Sequence, residues 1–128
     1  MRKRIIIRTA LVSALILIGI FLYVIGKEHK VLIDNRDISV GDITYSASTT
    51  YVVWVDNQEI GVIKKGERNA AIAIGISHKI VVEEIKSNVL TGEKHEKRFR
   101  LKNNESATVN IPAMINNANE WIDKTNDN

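Results

Sequence analysis

Three histidines, His29, His78 and His95, are the side chains of this 128-residue chain best suited to proton or metal chemistry. A catalytic zinc takes three converging protein ligands and keeps a fourth position open. No two of the histidines stand two or four residues apart, so the spacing predicts no metal site. The chain has no cysteine, which removes disulfides, thiolate ligands, thiol nucleophiles and lipid attachment through sulfur. His29 and His78 share a local pattern. Gly26 to Asp34 and Gly75 to Glu83 both read Gly-x-x-His-Lys, then three apolar residues and an acid. Two such segments, set side by side, would place the imidazoles together, where protonation of both would cause mutual repulsion and sensitivity to acid.

The remaining candidates are weaker as chemistry. Glu83 and Glu84 are adjacent, and neighbouring strand residues point to opposite sides, so they cannot share a site. There is no glycine-rich phosphate loop, no Gly-x-Ser-x-Gly and no Ser-x-x-Lys. Tyr45, Tyr51 and Trp54 are the residues available for a carbohydrate-binding face, although Trp54 reads as core. Asn104-Glu105-Ser106 fits the glycosylation acceptor pattern. The expectation is a protein with no catalytic residues, no cofactor and no metal.

The elements that must position these residues divide the chain sharply. Residues 5–25 are mostly apolar and carry no charged side chain except Arg8. Twenty-one helical residues at about 1.5 Å each reach across a bilayer core of roughly 30 Å. A cleavable signal has an apolar stretch of only about 7–15 residues ending at a small-x-small site. Here the run ends Tyr23-Val24-Ile25-Gly26-Lys27, so a retained signal anchor is expected. Arg2, Lys3, Arg4 and Arg8 precede the span, while only Lys27 and Lys30, beside Glu28, follow it. The positive-inside rule therefore orients the protein with residues 1–4 in the cytoplasm and the larger domain outside the cell membrane. The formal charge of +3 comes from that terminus. Without its four basic residues, 14 of the 18 lysines and arginines face 15 acids. The densest basic cluster beyond the span is Lys94, Lys97, Arg98, Arg100 and Lys102, with Glu93 and Glu96 mixed in. It reads as a solvated strand face, and no nucleic-acid partner is expected.

After Gly26, short β-branched runs alternate with turns of Gly, Asn and Asp, which is strand-and-turn patterning. Strands are expected near residues 29–34, 43–45, 51–56, 59–63, 69–74, 78–85, 97–102 and 107–111. Phe99 and Leu101 point inward, and Ser87 to Gly92 forms a loop. Asp56-Asn57-Gln58 turns the best hairpin, and Asn103-Asn104 makes a later turn. About seven short strands predict a small sandwich or open barrel over residues 26–112. Pro112 opens a short amphipathic helix over residues 113–124, and residues 125–128 form a disordered tail. Trp121 and Ile122 on that helix are candidate partner contacts.

Val53-Trp54-Val55-Asp56-Asn57-Gln58-Glu59-Ile60-Gly61, followed by Gly75-Ile76-Ser77-His78-Lys79-Ile80-Val81-Val82, resembles the PEGA-type β domain of bacterial envelope proteins. Residues 99–111 supply its closing strands, and Asn57 stands where that pattern has a turn glycine. The whole layout is similar to bacterial single-span membrane proteins. The resemblance implies a non-catalytic envelope module tethered beside a membrane span. Membrane lipid and another envelope protein are thus the expected partners. The alternatives are a glycan- or ligand-binding module at the cell surface and a small enzyme.

Overall fold

The computed structural model describes residues 2–102 and 104–126. The first element, α1 (Arg2–Ile25), is a 24-residue helix. Each of its side chains from Arg2 to Tyr23 is exposed. None of Arg2–Tyr23 is buried, and by length and composition this stretch is able to cross a membrane. A helix of this kind at an N-terminus serves either as an anchor or as a signal sequence.

Two residues later the chain becomes a two-layer β domain. One sheet is built from β1 (Glu28–Asp34), β6 (Arg68–Ile74), β9 (Glu105–Asn110) and β10 (Ile122–Asn126), in the order β10-β9-β1-β6. The other contains β4 (Thr50–Val55), β5 (Gln58–Ile63), β7 (Ser77–Lys86) and β8 (Val89–Arg100), in the order β5-β4-β7-β8. A separate hairpin, β2 (Ile38–Val40) with β3 (Ile43–Tyr45), leads from the first sheet to the second. All the pairings are antiparallel except β1 with β9. Alternation sends Val31 and Ile33, Tyr51, Val53 and Val55, Ile80 and Val82, and Ala107 and Val109 into one shared core. Burying each large aliphatic side chain there contributes about 1.5–3 kcal/mol.

Turn chemistry explains the hairpins. Asp56 (φ 51°) and Asn57 (φ 66°) make a two-residue turn with both residues left-handed, as do Ser87 (φ 51°) and Asn88 (φ 62°). Such turns match the strand twist and favour Asn and Asp. The second turn corrects the expected loop at residues 87–92. The chain reverses within two residues, and β8 then runs for 12 residues from Val89. The end of the sandwich that carries the Ser87-Asn88 turn is tied by Asn35, which is fully buried. Its Nδ2 donates to the carbonyls of Thr49 (2.8 Å) and Ile63 (3.0 Å). Beside it, Arg68 makes a two-pronged ion pair with Asp34 across β1 and β6. That contact raises the guanidinium further above its ordinary value, chiefly through the hydrogen bond.

Four further expectations need correction. There are ten strands among the described residues rather than about seven: β2 is too short to stand out as a separate strand, and β10 falls in the segment expected to be helix and tail. The short helix, α2, covers Ile111–Ile115 instead of 113–124. Pro112 does sit in its first turn, and Asn110 caps it by accepting from the Ala113 N–H at 2.9 Å. It stops because Asn117 turns left-handed (φ 56°), a conformation Asn tolerates. Ile122–Asn126 then pairs with β9 as a strand, so the β domain extends well past residue 112. Thr125 and Asn126 belong to that strand rather than to a tail; residues 127–128, like Met1 and Asn103, lie outside the described residues. Lys97 shares the face of Phe99 and is half-buried there, because strand alternation gives positions 97 and 99 the same side.

Tyr51 illustrates how the core handles a polar end. Burial, then the Glu84 and Glu93 carboxylates, push its phenol above the ordinary value of 10.0. A group whose value rises on folding contributes stability that is intact below the unfolded value and lost as pH climbs through the folded one. Urea melts should therefore show stability falling above about pH 10. The Tyr51→Phe variant should lack that part of the fall.

Candidate functional site

The two histidine segments come together at the end of the sandwich where α1 enters. β1 starts there with His29, and β7 starts there with His78. Both imidazoles are buried, with 4% and 3% of their residues exposed. The rings meet edge to face with centroids 6.1 Å apart. His78 then touches Phe99 at 5.3 Å, and Phe99 meets Trp121 edge to face at 6.2 Å. A chain of four rings thus runs between the sheets.

Local sequence fixes this arrangement. Gly75 adopts φ 95°, a left-handed conformation that favours glycine. Its N–H donates to the Lys27 carbonyl at 3.0 Å, and its own carbonyl accepts from His78 Nε2 at 2.8 Å. His78 Nδ1 donates to Asp56 Oδ2 at 2.7 Å. The other oxygen of Asp56 accepts the Lys79 N–H at 2.9 Å. His29 Nδ1 donates to the Glu105 carbonyl at 2.7 Å. Both nitrogens of His78 therefore lie within hydrogen-bond distance of oxygen atoms.

An Asp-His pair often marks a general base, but the geometry here argues for a structural tie. In a catalytic pair the nitrogen remote from the carboxylate faces the reactant. In this chain that nitrogen is committed to the Gly75 carbonyl, and the side chain has no exposed surface. The pair joins three things at one point: the β4–β5 turn through Asp56, the β6–β7 connection through Gly75, and the helix junction through Lys27. Lys27 adds two contacts across that junction. Its Nζ donates to Asn104 Oδ1 at 2.9 Å and lies 5.7 Å from the centre of the Tyr23 ring. Gly26 completes the junction: its N–H caps the Leu22 carbonyl at 2.8 Å, and an added Cβ would stand only 2.6 Å from that oxygen.

The other sequence candidates fall elsewhere. His95 lies opposite Val82 on β8, four residues before Phe99 and apart from the pair. No group of three His, Cys, Asp or Glu side chains among the described residues is placed to hold a metal. Glu83 and Glu84 pair with Val52 and Tyr51 respectively, on opposite faces. Tyr51 belongs to the core, whereas Trp54 is half-buried on the outer face of its sheet, beside Asn57, Lys79, Val81, Lys94 and Glu96. Trp54 is thus not core, and it cannot share a face with Tyr51, because three steps along a strand reverse the side. Tyr45 is half-buried in the separate hairpin. The three aromatics do not form one surface. Trp121 and Ile122 are half-buried and packed against the core rather than standing out on a helix. Arg2, Lys3, Arg4 and Arg8 are exposed on the first turns of α1. Asp56 was legible only as a turn residue. Its acid at the strand end, facing a histidine across β4 and β7, depends on the register of that pairing.

No curated protein and no solved structure matches the chain. One family model does, over residues 1–126, spanning both the apolar helix and the β domain. The chain belongs to that family, a family of unknown function designated DUF6672.

Proposed function

We propose that the protein is a non-catalytic module of a bacterial cell envelope, held in the cytoplasmic membrane by α1, whose β sandwich binds or scaffolds another envelope protein. The observation that carries this reading is the pairing of a free-standing apolar helix with a folded domain only two residues away. An apolar helix exposed from Arg2 to Tyr23 is costly in water and is accommodated by lipid. The four basic residues at its start favour a cytoplasmic N-terminus and an external domain. The resemblance of residues 53–111 to PEGA-type domains agrees with this role.

A partner surface is offered by β6, an edge of its sheet. Ile72 and Ile74 point outward from it, 63% and 59% exposed. Exposed edges with apolar side chains are the usual template for adding a strand from another chain. A photo-crosslinking residue placed at Ile72 in living cells is expected to capture a second envelope protein, and one at Lys65, at the far end of the domain, is not. Recovery of only uncrosslinked monomer from both positions would contradict the binding role.

A further inference from the structure

The end of the sandwich that carries the junction also carries an unmatched group of cations. Lys79, Arg98 and Arg100 line one open cleft of about 560 Å³, together with Ser77, His78, Phe99 and Asp56. Strand register creates it, since Lys79 pairs with Arg98, and Ser77 with Arg100, across β7 and β8. Asp56 is the one carboxylate in its wall, and both of its oxygens are already engaged, by His78 and by the Lys79 N–H. Arg98 lies 3.8 Å from Glu96, with both side chains well exposed, a contact that neutralises little. Neither the Lys79 ammonium nor the Arg100 guanidinium has an ion-pair partner among the described residues. Arg100 also lines an adjoining cleft with Lys102 and Lys124, where Glu105 is the only acid.

We infer that this cleft binds the phosphate of an anionic phospholipid headgroup in the leaflet next to the domain. Guanidinium forks match phosphate oxygens in pairs, and a nearby ammonium adds a point charge. Position selects the source of the phosphate. The strand ends that form the cleft lie at the same end as Gly26 and Lys27, and the Gly75–Lys27 hydrogen bond holds that end to the helix exit. The headgroup layer on each side of a bilayer is roughly 5–8 Å thick, so a domain joined by two residues sits against it. This inference rests on the membrane-anchored reading above, and the experiment separates the two.

The full-length chain is reconstituted into nanodiscs of phosphatidylcholine alone or with added phosphatidylglycerol, and amide exchange is followed at residues 76–80 and 97–102. Co-elution with discs of either composition tests the anchor by itself; a chain that stays out of both overturns the anchor and this inference with it. Once the chain is embedded, the inference predicts exchange at both segments slowed about fivefold or more by the anionic lipid. The R98Q/R100Q double variant should lose that slowing, with a circular dichroism spectrum like that of the parent. The K64Q/K65Q variant, which removes two charges from the opposite end, should keep it. Equal exchange in the two lipids would overturn the inference, as would equal loss in K64Q/K65Q. Slowing of the same size by inorganic phosphate in phosphatidylcholine discs would overturn the lipid as its source.

Discussion

Replacing His78 by phenylalanine is expected to destabilise the β domain by about 2–4 kcal/mol, because it removes the ring nitrogens that the Gly75 carbonyl and the Asp56 carboxylate now face. The ring volume is nearly kept, so the loss comes from hydrogen bonding rather than from a cavity. The Gly75 carbonyl, held at 2.8 Å from Nε2, loses its side-chain donor. The Asp56 oxygen is partly exposed and recovers water, which places its share at the low end. A domain of this size has about 5–10 kcal/mol in total. The melting temperature should therefore fall by roughly 10–25 °C. Two controls separate the causes. Asp56→Asn keeps a residue that tolerates the left-handed turn while removing the charge, and should cost about 1 kcal/mol. Asp56→Ala loses the turn preference as well and should cost more. If His78→Phe melts like the parent, the tie between the β4–β5 turn, Gly75 and the helix junction is not what holds that end together.

The second large effect concerns α1. Residues 5–25 contain fourteen Leu, Ile, Val and Phe. At about −0.3 to −0.6 kcal/mol each, they favour insertion by roughly 4–8 kcal/mol. One central arginine, at about 2.5–3.5 kcal/mol, leaves insertion favourable. Two, as in L15R/I18R, cancel it. The double variant should therefore move from the membrane to the aqueous or aggregated fraction, while the single L15R variant remains largely membrane-bound. Membrane retention of the double variant equal to that of the parent would mean that α1 is not what holds the protein.

How much of this was legible in the residues depends on the kind of signal. The helix was plain, because an unbroken apolar run has few structural uses. The strands of the core were legible where alternation was clear, as in Lys97 to Lys102 and Ala107 to Ile111, or where an unbroken β-branched and aromatic run stood out, as in Tyr51 to Val55. The repeated Gly-x-x-His-Lys segments marked two similar strand entries, but that the two histidines meet depends on how the sheets stack, which the repeat does not encode. The C-terminal segment misled because Met114, Ile115, Ala118, Trp121 and Ile122 fall at helical intervals. A one-turn helix, a left-handed Asn117 and an edge strand anchored by its first residue produce the same intervals. The long β8 was hidden because its first half, Val89 to Lys94, is exposed on both faces and so carries no alternation. The partnership of Asp56 with His78 and the convergence of Lys79, Arg98 and Arg100 arise from cross-strand register, which single-strand patterns do not encode.

Everything functional proposed for this chain depends on α1 remaining attached and lying in lipid. The most direct check is the intact mass of the protein recovered from membranes washed with alkaline carbonate. The account predicts that the pelleted species retains the apolar N-terminal segment through Gly26. A pelleted or soluble species that starts beyond Gly26, or a full-length chain released into the wash, would contradict it.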